Sequence, residues 1–166
     1  MSKPTKNDIQ HSHHTPQAPY NDIRSDPYAY KAKPQPAICS DCQVVFHQGH
    51  WKWEAAPKQA VQIVCPACQR IKDNLPAGYV ELSGEFLEQH KEDILNLMKN
   101  EAEYARSKHP LHRIMEIRQQ NGIVTITTTD VHLARRLGDA VKNAYKGELQ
   151  LNYQEAKSLM RVTWCR

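Results

Sequence analysis

The chain has 166 residues, 24% of them charged and 40% hydrophobic, which suits one or two small domains with a polar extension. No apolar run approaches the length of a membrane helix, and Met1-Ser2-Lys3-Pro4-Thr5-Lys6 leads into no signal-peptide core. No membrane association is expected, and a reducing cytoplasm is the expected compartment. The formal charge of +4 is unevenly spread. Residues 81–110 carry four Lys and Arg against seven Asp and Glu, whereas 111–166 carry nine against five, so the C-terminal part is the one suited to an anionic partner.

Residues 1–36 read as a disordered tail. Pro4, Pro16, Pro19, Pro27, Pro34 and Pro36 punctuate a polar stretch with too little apolar area to offset the entropy of ordering. His11, His13 and His14 suit weak metal binding or plain solvation. Within Ile23-Arg24-Ser25-Asp26-Pro27-Tyr28-Ala29-Tyr30, the tyrosines and arginine are fit to dock on the folded body or on a partner.

Residues 37–80 form the expected metal module. Cys39-Ser40-Asp41-Cys42 and Cys65-Pro66-Ala67-Cys68 are two hooks separated by twenty-two residues. Each hook holds two thiolates on one tight turn, so folding back the loop brings four sulfurs to a tetrahedral zinc at about 2.3 Å. Two disulfides are the other possibility, though nothing else here looks secreted, and thioredoxin-like chemistry needs only one hook and a strand-helix setting that the prolines around both hooks do not favour. Four thiolates also fill the coordination shell, so one structural zinc ion on Cys39, Cys42, Cys65 and Cys68 is expected.

Val44-Val45-Phe46 reads as a strand, and Ala60-Val61-Gln62-Ile63-Val64 as its partner. Between them, His47-Gln48-Gly49-His50-Trp51-Lys52-Trp53 has two readings: a tryptophan covers the small core, or an aromatic and basic loop stacks on unpaired bases. After the second hook, Arg70 and Lys72 add cations, and Pro76-Ala77-Gly78 turns the chain out of the module.

Residues 81–166 form the second expected domain. Phe86, Leu87, His90, Ile94, Leu97, Met98 and Ala105 recur at three- and four-residue spacing, which predicts a helix over 83–106 capped by Ser83. Residues 111–118 and 123–129 flank Asn121-Gly122, a hairpin signal. A two-residue turn there sets Arg118 opposite Thr125 and Ile117 opposite Ile126, with Met115, Ile117, Val124 and Ile126 on the core face. Thr129 or Asp130 caps the next helix, 131–146, whose stripe is Leu133, Leu137, Val141 and Ala144; Arg135, Arg136, Lys142 and Lys146 face outward. Leu149, Leu151 and Tyr153 alternate in a third strand, and Met160, Val162 and Trp164 in a fourth. The fold expected is α+β: a four-cysteine zinc ribbon, then a two-layer α/β sandwich of one long helix followed by β-β-α-β-β.

The two hooks, Leu82-Ser83-Gly84-Glu85-Phe86, Thr128-Thr129-Asp130-Val131-His132-Leu133-Ala134-Arg135-Arg136 and Arg161-Val162-Thr163-Trp164 resemble an uncharacterised family of small bacterial zinc-ribbon proteins over residues 22–166. That family is in turn distantly similar to part of nonsense-mediated decay protein three, the adaptor that accompanies the large ribosomal subunit during export. The likeness to the adaptor covers chiefly the hairpin, the basic helix and the third strand. This chain has one zinc site where the adaptor has more, and it lacks the adaptor's remaining domains. The resemblance therefore implies ribosome or structured-RNA binding, and not nuclear export.

An enzyme is not expected. There is no phosphate-binding Gly-x-x-x-x-Gly-Lys-Ser/Thr loop, dinucleotide turn or Gly-x-Ser-x-Gly elbow. Cys165 has no assignable base, and Asp130 beside His132 is explained by capping. The expected function is non-catalytic, zinc-dependent binding of RNA or the ribosome by a monomer. The expected contacts are Trp51, Lys52, Trp53, Arg70, Lys72, Arg118, Arg135, Arg136, Lys142, Lys146 and Arg161. The alternative is a protein-interaction adaptor whose aromatic residues bind a protein partner.

Overall fold

The computed structural model describes Tyr28 and residues 33–166. The histidines at 11, 13 and 14 and most of the segment 23–30 lie outside the described residues. Among the described residues, no helix is long and apolar enough to cross a membrane.

The metal module is built from β1 (Ala37–Cys39), β2 (Val45–His47), β3 (His50–Lys52), β4 (Val61–Ile63) and α1 (Pro66–Lys72). Its sheet order is β3-β2-β1-β4. The expected partnership of β2 with β4 is replaced by two others: β2 pairs antiparallel with β1 and β3, while β4 runs parallel to β1. Ser40 N donates to Ile63 O at 2.9 Å just beyond the β1–β4 ladder, which sets the first hook beside the approach to the second. The second hook is the first turn of a helix. Cys65 is its N-cap, accepting from Cys68 N, and Pro66 stands where a missing N–H costs nothing.

The five-stranded sheet and its helices follow: β5 (Gly78–Ser83), α2 (Glu85–Lys108), β6 (Ile114–Gln120), β7 (Ile123–Thr128), α3 (Val131–Tyr145), β8 (Glu148–Gln154) and β9 (Leu159–Cys165), so that β5 spans the boundary expected between residues 80 and 81. The sheet order is β6-β7-β5-β9-β8. β5 is thus the central strand, antiparallel to β7 and parallel to β9. Pro76-Ala77-Gly78 is not the expected exit turn, nor Ser83 the expected helix cap. Instead, Val80 and Leu82 point into the core and Ser83 ends the strand. The cap position falls to Gly84, whose φ of +106° suits glycine; a Cβ there would lie 2.1 Å from Arg166 O. That carbonyl accepts from Phe86 N at 2.9 Å, supplying one of the bonds a helix N-terminus lacks.

The β6–β7 turn has left-handed φ at Asn121 (52°) and Gly122 (76°), and Arg118 lies opposite Thr125 and Ile117 opposite Ile126, as the turn requires. A bulge between Ile114 and Glu116 displaces Met115, so Ile114 takes the core position expected of it. Asp130 caps α3, accepting from His132 N and Leu133 N.

Both helices pack on one sheet face. Val80, Leu82, Val124, Ile126, Met160, Val162 and Trp164 meet Leu87, Ile94, Met98, Leu133, Leu137 and Val141 there. Each of these large side chains contributes about 1.5–3 kcal/mol by leaving water. Within α2, His90 departs from helical φ/ψ and stacks on Phe86 at 4.2 Å. It is a packing residue.

Candidate metal centre and its surroundings

Cys39 ends β1, Cys42 closes the turn after it, and Cys65 and Cys68 form the first turn of α1. Their four Sγ atoms all lie within 4.8 Å of one another, and Cys42 and Cys65 are 3.7 Å apart. Four sulfurs at about 2.3 Å from a tetrahedral ion stand about 3.8 Å apart, so the cluster is compatible with zinc binding. Cys39, Cys65 and Cys68 are buried and Cys42 is half-buried.

The thiols differ in proton affinity. Burial raises Cys39, but N–H donors from Cys65, Cys42 and Asp41 outweigh it and bring the group down to about 7. Burial, then the neighbouring sulfurs, pushes Cys65 far above an ordinary thiol despite the Cys68 N–H. Burial raises Cys68 to about 11 despite hydrogen bonds with Cys65 and Arg113. Four thiolates cannot share this volume without a cation among them.

Part of the counter-charge comes from a residue outside the module. Arg113, just before β6, is only 9% exposed and sends its guanidinium into the cluster. Nη2 donates to Cys42 Sγ at 3.0 Å and Nη1 to Cys68 Sγ at 3.2 Å. Nε donates to Pro110 O at 3.0 Å, and Arg113 N donates to Thr129 Oγ1 at 2.9 Å. The side chain therefore ties the thiolates to the loop between α2 and β6. Nothing local in the sequence points to it, because its sulfur partners lie 45, 48 and 71 positions away. A lone arginine entering a strand carries no local mark.

A second tie is Trp53, whose Nε1 donates to Arg106 O at 2.9 Å near the end of α2. The Arg106 guanidinium lies 5.4 Å from its ring and that of Arg113 6.0 Å. Trp51 is half-buried on the cysteine core and packs on Phe46 at 5.0 Å. Tyr28 sits against the module: its hydroxyl is 2.7 Å from Asp73, and the Arg70 guanidinium covers its ring at 4.7 Å.

The other expected contacts divide among three surfaces. On the module, Lys52 is half-buried on β3 and Lys72 pairs with Asp41 at 2.8 Å. Arg70 is 4% exposed, its Nη1 donating to Leu75 O. On the sheet face away from the helices, Arg118 pairs with Glu116 and Arg161 covers Tyr79 at 4.8 Å. On α3, Arg135 pairs with Asp139 and Arg136 with Glu101, while Lys142 and Lys146 are exposed. Cys165 is exposed, far from the cluster in the β9–β8 ladder.

Beside the metal centre, three imidazoles run in file. His109 stacks on His112 at 4.7 Å, and His112 faces His132 at 6.4 Å. His112 Nε2 lies 3.3 Å from Asp130 Oδ1. Burial is the main cause of its lowered pKa, which the Asp130 charge only partly opposes. No family model, curated protein or solved structure matches the chain.

Proposed function

We propose that the chain is a non-catalytic, zinc-stabilised protein that binds structured RNA or the ribosome. Zinc is the ion that suits the four-sulfur set, and its role is structural, since the thiolates occupy a complete tetrahedral shell and leave no position for substrate. The Arg113 guanidinium, which can neither coordinate nor exchange protons near neutral pH, is the neighbour just outside that shell.

The observation that carries the RNA reading is the seam where the β2–β3 hairpin meets the end of α2. His50, Trp51, Lys108 and His109 line a single cleft there, with Lys52 next along β3. Cations beside an aromatic ring are the pattern that holds a phosphate backbone and its bases. Lys142 and Lys146 offer further phosphate contacts on α3, whereas Arg135 and Arg136 already hold carboxylates. The likeness to the subunit-export adaptor makes the ribosome the first partner to test.

The test is co-sedimentation of the tagged protein with ribosomes and total RNA from its own host, at low and raised salt. Salt-sensitive enrichment of ribosomal RNA, reduced by Lys52→Glu, is the expected result; no enrichment at low salt refutes it. The adaptor reading is favoured by one feature: Val61, Ile71 and Leu75 on the metal module are 42–50% exposed. A protein partner retained at high salt without RNA would establish that reading instead.

A further inference from the structure

The seam contains a defined cleft of about 220 Å³, lined by His50 and Trp51 from β3 and by Lys108, His109, Leu111 and His112 from the end of α2 and the loop after it. No acidic side chain lines it. Among the described residues, no ion pair engages Lys108, His50 or His109. Three acids on the surrounding elements are engaged elsewhere: Asp130 with His112, Glu54 with His47 across the hairpin, and Glu103 with Arg106. The C-terminal end of α2 opposes an anion with its partial negative charge. Lys108 in that last turn supplies a full positive charge against it, while Arg106 lies outside the cleft and pairs with Glu103 at 3.8 Å.

The walls are held without help from a ligand. His109 N donates to Ala105 O at 2.7 Å and His112 N to His109 O at 2.9 Å. Thr129 binds the same loop through Leu111 O at 2.6 Å and through both backbone groups of Arg113. Arg113 in turn is fixed by the cysteine sulfurs, so the metal module and the loop hold the two sides of the cleft in register. A site on a preorganised loop spends little of its binding energy on ordering.

We propose that this cleft binds a nucleotide, with the phosphate held by Lys108, His50 and His109 and the base lying against Trp51. The site takes the RNA reading above as the source of the nucleotide. An open cleft of this size takes part of a nucleotide that has left its stack, which a single strand offers and a duplex, with its bases stacked and paired, does not.

The probe is a labelled octauridylate followed by fluorescence anisotropy on the metal-loaded full chain, with AMP and inorganic phosphate as competitors. The test variant is Lys108→Glu with His109→Glu; both side chains are exposed, and metal content and circular dichroism check its fold. The control is Lys157→Glu, on the exposed turn between β8 and β9. Octauridylate is expected to bind about tenfold or more weakly to the double variant, with a shallower salt dependence, and normally to the control. The Trp51 indole N–H resonance is expected to move on adding AMP.

Equal binding of octauridylate by wild type and double variant overturns the cleft and leaves the RNA reading standing. If AMP binds, is lost in the double variant, and no RNA binds, the cleft stands with a free nucleotide as ligand and the RNA reading falls. If octauridylate, AMP and phosphate all leave anisotropy and the Trp51 indole unmoved, the cleft proposal is overturned outright.

Discussion

Replacing Arg113 with methionine fills much of the same space and removes the two short guanidinium bonds to sulfur, at 3.0 and 3.2 Å, together with the long one to Cys65 at 3.9 Å. A hydrogen bond to a charged group contributes about 1.5–3 kcal/mol, so two bring about 3–6 kcal/mol. Removing one partner of a buried charge pair costs about 3–5 kcal/mol, and the guanidinium's own burial cost, recovered in the variant, draws the estimate to about 3 kcal/mol. At about 1.4 kcal/mol per factor of ten, metal affinity should fall on the order of 100-fold. Competition with a chromogenic chelator reads this directly. Arg113→Lys, with one point charge in place of a fork, should recover only part of it. A loss below about threefold in the methionine variant, under 1 kcal/mol, would show that the thiolates do not depend on the guanidinium.

Further expectations concern the core, the metal and pH. Trp164→Ala removes a side chain that is 1% exposed and strands the Lys146 carbonyl that its Nε1 binds at 2.6 Å, so urea unfolding should show a loss of about 3–5 kcal/mol. Stripping the metal should speed tryptic cleavage at Lys52, Lys58 and Lys72 while residues 78–166 stay protected; equal rates before and after would mean that the ion does not hold the module. His112 has a folded pKa below its unfolded value, so the folded state binds fewer protons. Its contribution to stability is therefore complete above about pH 6.5 and is lost as pH falls from there through the folded pKa. His112→Gln should flatten that part of the urea-midpoint profile relative to wild type, and parallel profiles would exclude the effect.

What the sequence made legible followed from local chemistry. Two Cys-x-x-Cys hooks predicted the cluster, Asn121-Gly122 predicted the β6–β7 register, and the alternation of Met160, Val162 and Trp164 predicted β9. The misses were relations between distant residues. β5 was hidden because Gly78 followed Pro76 and suggested a turn, although Val80 and Leu82 alternate as a half-buried strand does. The parallel β1–β4 pairing has no turn to announce it, and β2 and β4 both looked like hairpin partners. The bulge at Met115 depends on tertiary context. Arg113 was invisible for the same reason: its significance lies in three sulfurs that the chain brings to it from the other module.

The position of β9 bears on how the molecule is made. Its parallel neighbour β5 is the middle of the sheet, yet Ser83 and Trp164, bonded side by side, lie 81 residues apart in sequence. A nascent chain emerging at about 5–20 residues per second would thus wait several seconds between producing the centre of the sheet and producing the strand that completes it. The hooks, by contrast, lie wholly before β5, so all four cysteines are made before the sheet begins. During the interval, β5 would hold one open edge while α2 lacked the Arg166 carbonyl for its first turn. Such long-range pairing closes slowly. The half-built sheet is therefore where chaperone engagement or misassembly would begin, with all four cysteines already made and Arg113 joining them while that edge is still open.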